Sequence, residues 1–204
     1  MVIGPGGACD LDLFEITKKI SANSFNYNKL RIDNNSDENF HNSAVLVPIV
    51  VHEDQVALLY TLRSSTLVRH SGQVSFPGGL IEKGDESAIE TALRETEEEI
   101  GVSRKNIQII GQLNPFNTST GYIVFPVIGV INSLDTLARN AIEVDRIFCI
   151  PLNWLCDSTN SKTKEFADAD GNIREAWFFD LYDGELLWGI TAKITIDLTE
   201  IIKK

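Results

Sequence analysis

The sequence is poor in cysteine: its 204 residues include three, Cys9, Cys149 and Cys156. An odd number of cysteines without the close spacing of metal ligands fits neither a disulfide framework nor a zinc site. We therefore expect reduced thiols, as in proteins of the cytosol, and a cytoplasmic location.

Long hydrophobic runs are absent as well. The longest, residues 44–51, is too short to span a bilayer and contains Pro48. We expect no signal peptide before it, and we expect the final Ile-Ile-Lys-Lys not to act as a peroxisomal targeting signal. We expect no membrane partner.

Basic residues are scarce, with 18 lysines and arginines against 29 aspartates and glutamates and a net charge of −11. A broad nucleic-acid-binding surface would carry the opposite sign, so we expect no nucleic-acid partner. An anionic small molecule remains compatible with this charge, because bound divalent cations would reverse the local field.

Short apolar and β-branched runs predict an α/β or α+β fold, with a mixed sheet between helices. The predicted strands are residues 44–51, 55–62, 107–113, 123–131, 144–150 and 173–181. Helices are predicted around Leu13, Ile16 and Ile20 and at residues 191–202, a turn or short helix at 151–155, and a loop at 157–170. We expect residues 1–43 to form an extension with a short helix and a polar connection, and residues 44–204 to form one domain.

The chain is organised around residues 76–102. Phe76-Pro77-Gly78-Gly79 predicts an irregular loop, because proline lacks a hydrogen-bond donor and paired glycines free the backbone. Ser87 with Glu90 three residues later is a capping-box signature, and Gly101 is typical of a helix end. The pattern predicts a loop followed by a helix.

Three glutamates gather on one side of this helix. Glu95, Glu98 and Glu99 are spaced i, i+3 and i+4, beside an apolar stripe that must face a core. Clustered carboxylates repel one another, but together they offer hard oxygen ligands for Mg²⁺ or Mn²⁺. The alternative is a solvated acidic face. No cationic residue is expected at the centre of the three.

This stretch resembles the signature motif of the Nudix hydrolases. Gly79, an acidic residue at Asp85 or Glu86, and the run from Arg94 to Val102 match the motif. Fourteen residues separate Gly79 from Arg94, one more than the general pattern has, so both acidic residues stay candidates. The resemblance implies an α/β/α sandwich with a mixed sheet. It also implies metal-dependent hydrolysis of a nucleoside diphosphate linked to another group.

Flanking segments are similar to one branch of that family, the coenzyme A pyrophosphatases. The similarity lies in residues 59–64, 69–79, 126–129 and 187–192 and in the longer motif spacing, and it covers roughly residues 44–200. It implies cleavage of coenzyme A or acyl-coenzyme A to 3′,5′-ADP and (acyl-)4′-phosphopantetheine. One residue departs: Val68 stands where the branch usually has an arginine, which weakens the expected preference for coenzyme A.

The motif also implies roles for single residues. Glu95, Glu98 and Glu99 would bind the metal, with Glu98 central to catalysis. Arg94 would orient a carboxylate by ion pairing. Gly78 and Gly79 would allow close approach of the backbone to the metal, and the Gly79 carbonyl is a possible oxygen ligand.

Other candidate residues have competing interpretations. Arg63 is a phosphate contact or an ion-pair partner within the sheet, and His70 a phosphate contact or the donor of a structural hydrogen bond. Glu143 is an extra metal ligand, the general base or an exposed carboxylate at a strand edge. A tryptophan could stack on a nucleotide base, although packing in the core is its commoner use. The three tryptophans are Trp154, Trp177 and Trp188.

Three functions are compatible with these residues. The first is a metal-dependent pyrophosphohydrolase of coenzyme A or its acyl derivatives. The second is the same chemistry on a dinucleotide or a nucleotide sugar. The third is a related module that binds a nucleotide and regulates a partner without hydrolysis. The motif residues favour hydrolysis, and the sequence leaves a monomer and a homodimer equally open.

Overall fold

The computed structural model describes residues 12–24, 40–65, 71–118, 120–167 and 171–204. Its strands are β1 (His41–His52), β2 (Gln55–Arg63), β3 (Val74–Ser75), β4 (Gly78–Leu80), β5 (Ile107–Gln112), β6 (Phe116–Asn117), β7 (Tyr122–Ile131), β8 (Val144–Pro151), β9 (Ser161–Ala167) and β10 (Ile173–Phe179). Its α-helices are α1 (Leu13–Asn23), α2 (Ala88–Ile100), α3 (Leu152–Cys156) and α4 (Gly189–Lys203). Single 3₁₀ turns lie at Arg104–Asn106 and Ser158–Asn160.

Strands β1 to β8 form one mixed sheet with the central order β3-β2-β1-β7-β5. Strands β1 and β7 run parallel, and the other neighbouring strands run antiparallel. Strand β1 changes partner along its length: its first residues pair with β4 and its last residues with β2. Strand β8 pairs with β2, and β6 with β7. Strands β9 and β10 form a separate antiparallel hairpin.

The sheet is covered on both faces because side chains of a strand alternate between them. On one face Val47 and Ile49 of β1 join a buried cluster with helices α1, α3 and α4. On the other face Leu46 and Val50 join a second cluster with Ala92 of α2. Helices on both sides of a mixed sheet confirm the predicted α/β/α sandwich.

Local signals place helix α2 where the sequence predicts it. The Ser87 hydroxyl accepts a hydrogen bond from the Glu90 amide at 3.3 Å, which caps the first turn. Gly101 takes a left-handed conformation with φ of 70° and donates its N–H to the Glu97 carbonyl. Helix α1 is capped by Asp12, whose side chain accepts a hydrogen bond from the Phe14 amide at 3.2 Å.

The loop predicted at residues 157–170 is wrong in part, because Ser161–Ala167 form strand β9. Most of its side chains are exposed, so the strand lacks the apolar alternation that would have revealed it. The partner strand β10 supplies the order. Lys164 lies over the Phe178 ring at 5.2 Å, a cation–π contact across the hairpin.

The irregular loop predicted at Phe76–Gly79 is also wrong in part, because Gly78 and Gly79 begin strand β4. Gly78 lies so close to β1 that an added Cβ would be 2.4 Å from the Ala44 carbonyl oxygen. Absence of a side chain therefore lets this segment pair tightly with β1, whereas the sequence indicated only backbone freedom.

Two further expectations concern cysteine and membranes. Cys149 and Cys156 are free thiols, and Cys9 lies outside the described residues. Burial raises the pKa of Cys149 to about 11, which opposes a role as a nucleophile. Across the described segments, no helix has the length and hydrophobicity needed to cross a bilayer.

Candidate metal centre and active site

The last two turns of α2 bring Glu95, Glu98 and Glu99 to the edge of the sheet with graded exposure. Glu99 is buried, with 4% of its surface exposed, Glu95 is half-buried and Glu98 is exposed. The apolar stripe of α2 packs on the sheet, so the helix cannot rotate to solvate all three carboxylates. The solvated acidic face expected as the alternative does not describe Glu99.

Arg94 joins the carboxylates on this side of the helix. Its Nη1 donates to Glu95 Oε1 at 2.8 Å and to Glu98 Oε2 at 3.3 Å. Its Nε and Nη2 donate to the two oxygens of Asp85 at 3.2 and 3.1 Å, and Nη2 also reaches the Leu80 carbonyl at 3.1 Å. The neighbouring carboxylates, Asp85 first, raise the pKa of Arg94. These are the contacts that a carboxylate-orienting residue needs.

The partner of Arg94 is Asp85 rather than Glu86, which is exposed. Asp85 also accepts hydrogen bonds from the Thr91 hydroxyl at 2.8 Å and the Glu82 amide at 2.9 Å. Burial alone would raise the pKa of Asp85, but the hydrogen bonds from Arg94 and these donors outweigh it and lower the pKa to about 2.

The side chain of Glu99, on helix α2, contacts residues of strands β2 and β4. Arg63 at the end of β2 places Nη1 3.8 Å from Glu99 Oε1, and the Gly78 N–H donates to the same carboxylate. Burial raises the pKa of Glu99 to about 8, with Arg63 opposing the shift and Glu95 adding to it. Within the described parts of the chain, Glu99 Oε2 is buried without a hydrogen-bond partner.

Glu95 packs against strand β4, which begins with Gly78 and Gly79. A Cβ added to Gly79 would lie 2.3 Å from Glu95 Oε1, so the carboxylate occupies the space that the missing side chain leaves. Burial raises the pKa of Glu95, while Arg94 opposes the shift and Glu98 and Glu143 add to it. A side chain at position 79 would therefore force the Glu95 carboxylate to move.

Glu143 lies just before β8 and faces the other carboxylates. It is half-buried rather than an exposed carboxylate at a strand edge, and its charge raises the pKa of Glu95 and Glu99. Its backbone is fixed: the Glu143 N–H donates to the Asn140 carbonyl at 3.0 Å, and its carbonyl accepts from Ser64 at 2.8 Å. Asn140 in turn donates its N–H to the Glu99 carbonyl at 2.8 Å.

The donors present fit a hard divalent cation. They are carboxylate oxygens beside strand β4. Within the described residues, one of them, Glu99 Oε2, is buried and lacks a hydrogen-bond partner. Among the described residues, no three carboxylate, imidazole or thiol groups already converge on one point as metal ligands. Glu95 and Glu98 instead share Arg94 Nη1, so they would turn from that contact toward a cation.

The structure can be compared with several of the contacts predicted for single residues. The expectation that no cationic residue lies at the centre of the three glutamates is wrong. Arg94 contacts Glu95, and Arg63 contacts Glu99. For Arg63, the ion pair is with helix α2 and not within the sheet. His70 and Val68 lie outside the described residues, so the phosphate contact proposed for His70 stays a prediction.

The sequence interpretation missed two residues of this site. Asn140 connects Glu143 to the end of α2, and Ser64 holds the Glu143 carbonyl. Both act through backbone hydrogen bonds, which leave no trace in side-chain chemistry. The Gly78 N–H donor to Glu99 was equally hidden, although the Gly78-Gly79 pair signalled a close approach.

Comparison with known proteins agrees with this geometry. A family profile described as NUDIX domain matches residues 40–178. The uncharacterized Nudix hydrolase NudL of Photorhabdus laumondii is 39% identical over 170 residues, covering 82% of this chain and 88% of the relative. The uncharacterized Nudix hydrolase NudL of Yersinia enterocolitica is 38% identical over 157 residues, covering 76% of this chain and 78% of the relative.

A solved structure supports the fold. The crystal structure of a MutT/nudix family protein from Enterococcus faecalis superposes with a TM-score of 0.55 at 20% identity, covering 83% of this chain and 64% of that protein. At this identity the likeness concerns the sandwich and its mixed sheet.

Proposed function

The chain belongs to the Nudix family and is a hydrolase of pyrophosphate bonds in nucleoside diphosphate derivatives, and we propose that its substrate is coenzyme A or an acyl-coenzyme A. The products would be 3′,5′-ADP and (acyl-)4′-phosphopantetheine. The reaction would take place at Glu95, Glu98 and Glu99, with Mg²⁺ or Mn²⁺ as cofactor.

The observation that carries the reaction is the environment of Glu99. A carboxylate that is almost fully buried and leaves one oxygen without a partner is costly unless a ligand completes it. Glu95 and Glu143 lie close enough to raise its pKa, which concentrates negative charge at one place. A divalent cation would relieve both the burial and the repulsion.

The metal would supply the electrophilic part of the chemistry. When bound, a divalent cation neutralises charge on the pyrophosphate oxygens and lowers the pKa of a water molecule that it holds. The chain's own residues would then orient the groups. Arg94 holds Glu95 and Glu98 beside the site before a cation binds, and the Gly78 N–H orients Glu99.

Proton transfer and substrate binding need further residues. Water attacks phosphorus, the bridging P–O bond breaks, and a general base takes the water proton. Glu143 is our candidate for this base, because it is half-buried, faces Glu95 and Glu99 and has a fixed backbone. Arg63 is the candidate contact for a phosphate, since its Nε is buried without a partner in the described structure.

Preference for coenzyme A rests on the sequence flanking the motif. Residues 59–64, 69–79 and 187–192 are similar to coenzyme A pyrophosphatases. Val68 departs from that branch and favours a second candidate, the same chemistry on a dinucleotide or a nucleotide sugar. Retention of Arg94, Glu95, Glu98 and Glu99 argues against a module that binds without hydrolysis.

A substrate panel tests the proposal. The purified protein with Mg²⁺ is incubated with coenzyme A, acetyl-coenzyme A, dinucleotides and nucleotide sugars, and the products are separated by chromatography. We expect 3′,5′-ADP from both coenzyme A substrates at the highest kcat/KM, and formation on the order of 10²-fold slower or more by the Glu98→Gln variant. Cleavage of a dinucleotide or nucleotide sugar alone would reject coenzyme A as substrate.

A further inference from the structure

A cavity of about 710 Å³ opens between the β9–β10 hairpin, the start of α4, strand β3 and the segment before β7. Its volume is within the range of roughly 300–1,000 Å³ that small-molecule sites occupy. Among the described residues that line it there is none of the carboxylates of α2, so this space is separate from the candidate metal centre.

The walls of the cavity combine aromatic rings with uncharged hydrogen-bonding groups. Phe166, Trp177 and Trp188 supply the rings. Gln73, Asn117 and Thr163 supply amide and hydroxyl groups. Such a lining suits a flat heterocycle that also carries donors and acceptors.

Trp188 is held in place by its neighbours. Its ring stacks on Phe178 with centroids 5.4 Å apart and planes 15° apart, and Phe166 meets it edge-on at 5.9 Å. The indole remains half-buried at the cavity. A rigid aromatic wall loses little entropy when a base stacks on it.

The charges of the lining nearly balance. Arg174 and Lys193 line the cavity with one acidic residue, Glu175, in a protein whose net charge is −11. Lys193 also pairs with Asp197 on its own helix, which reduces its share of the local field. With Lys193 paired, one positive and one negative side chain remain in the lining, which is compatible with an uncharged heterocyclic base.

The cavity is connected to the metal centre through β3. The Gln73 carbonyl at its wall accepts a hydrogen bond from the Arg63 amide at 3.0 Å, and the Arg63 guanidinium reaches Glu99. Val74, which also lines the cavity, precedes Gly78 by four residues, a separation of at most about 14 Å in an extended chain. One end of a pyrophosphate-linked substrate can therefore reach the cavity.

We propose that this cavity binds the nucleoside half of the substrate, with the base against the aromatic walls. The inference rests on the proposed function, because it assigns one half of the same substrate. The other half, 4′-phosphopantetheine, is a flexible aliphatic diamide without a ring, so it would leave the stacking surfaces unused.

Binding of the two product halves tests the proposal without hydrolysis. The protein is titrated calorimetrically with 3′,5′-ADP and, separately, with 4′-phosphopantetheine, both in excess chelator. Thr163→Trp fills the cavity from β9, and Phe166→Ala removes part of its aromatic wall. Glu165→Trp is the matched control, because it adds the same side chain to the same strand outside the lining residues.

We expect Thr163→Trp and Phe166→Ala to weaken binding of 3′,5′-ADP by about tenfold or more, as expected for the loss of base stacking. Glu165→Trp should bind like wild type, and binding of 4′-phosphopantetheine should not change in any variant. Equal affinity of Thr163→Trp and Glu165→Trp for 3′,5′-ADP would overturn the proposal. So would a loss confined to 4′-phosphopantetheine, or no binding of 3′,5′-ADP by the wild type.

The inference and the proposed function can fail separately. Coenzyme A hydrolysis with unaltered 3′,5′-ADP binding in Thr163→Trp would reject the cavity and keep the function. No hydrolysis of coenzyme A, combined with cavity-dependent 3′,5′-ADP binding, would reject the substrate and keep the cavity as a nucleoside site.

Discussion

The guanidinium of Arg63 lies 3.8 Å from the carboxylate of Glu99, although one belongs to the sheet and the other to the helix that covers it. In the described structure each side chain also has a buried atom without a hydrogen-bond partner, Nε of Arg63 and Oε2 of Glu99. Such atoms are rare in folded proteins, because leaving them unpaired costs free energy. The pair therefore marks a point where a bound ligand would stabilise the protein.

Removing divalent metal should abolish hydrolysis. The reason is that clustered carboxylates would repel an anionic pyrophosphate unless a cation lies between them. Activity is measured in excess chelator and again after Mg²⁺ or Mn²⁺ is added back, and we expect it to vanish and return. Full turnover in excess chelator would contradict the mechanism.

Glu98→Gln should lower kcat by on the order of 10² or more, comparable to the loss of a major electrostatic stabiliser. The amide keeps the shape of the side chain and removes one negative charge from the candidate metal ligands. Steady-state kinetics with saturating Mg²⁺ provide the measurement.

Glu97→Gln is the control for that substitution. Glu97 lies on the same helix but pairs with Arg104 at 2.9 Å, away from the site. Its kcat should stay close to wild type. Equal losses at both positions would indicate that overall helix charge matters and that Glu98 has no special role.

Gly79→Ala should lower the apparent affinity for Mg²⁺ by about 10–100-fold, as when a residue that supports a metal ligand is changed. The added Cβ would lie 2.3 Å from Glu95 Oε1, so Glu95 must move. The measurement is the Mg²⁺ dependence of activity, together with Mg²⁺ titration by calorimetry.

Gly84→Ala is the matched control, because a Cβ there meets no atom within 4 Å and its backbone is not in the left-handed region. It should leave the affinity for Mg²⁺ unchanged. An equal loss in both variants would point to rigidity of the loop instead of contact with Glu95.

Asp85→Asn should destabilise the fold by about 1–2 kcal/mol near neutral pH, since it removes charge-assisted hydrogen bonds from Arg94. The folded state lowers the pKa of Asp85 to about 2, so its stabilisation is present above the unfolded pKa near 3.8 and is lost as the pH falls through about 2. Chemical denaturation across this pH range measures the difference.

Glu86→Gln tests whether the choice between neighbouring acids is correct. Glu86 is exposed, and its removal should change the unfolding free energy by less than about 0.5 kcal/mol. If Glu86→Gln destabilises the protein as much as Asp85→Asn, the assignment of Asp85 as the partner of Arg94 is wrong.

Val68→Arg should shift substrate choice toward coenzyme A. Coenzyme A carries a 3′-phosphate that an arginine recognises well, and wild type lacks this side chain. We expect wild type to cleave coenzyme A and dephospho-coenzyme A with similar kcat/KM, and the variant to favour coenzyme A by about 1–3 kcal/mol. A hundredfold preference already present in wild type would show that other residues recognise this phosphate.

Local signals in the sequence predicted helix α2 and its carboxylates well. Ser87, Gly101 and the spacing of the three glutamates depend only on neighbours within a few turns, and periodicity reports such relations directly. The contact between Arg63 and Glu99 was not predictable in this way. It depends on how the sheet and helix pack, which residue spacing does not encode.

Other failures have the same origin. Strand β9 has mostly exposed polar side chains, and it is ordered by its partner β10, not by a buried face. The choice between Asp85 and Glu86 depends on one residue of loop length, and only the position of Arg94 resolves it. In each case a contact with another element of the structure decides the local outcome.

Pairing of Gly78 and Gly79 with the first half of β1 has a consequence for local unfolding. A surface loop can open while the rest of a protein stays folded, but strand β4 cannot leave without breaking its ladder with the central strand. Exchange of its amide hydrogens with solvent should therefore be slower than exchange in the turn at residues 83–84, which belongs to no strand. The backbone next to Glu95 is held in place by this ladder.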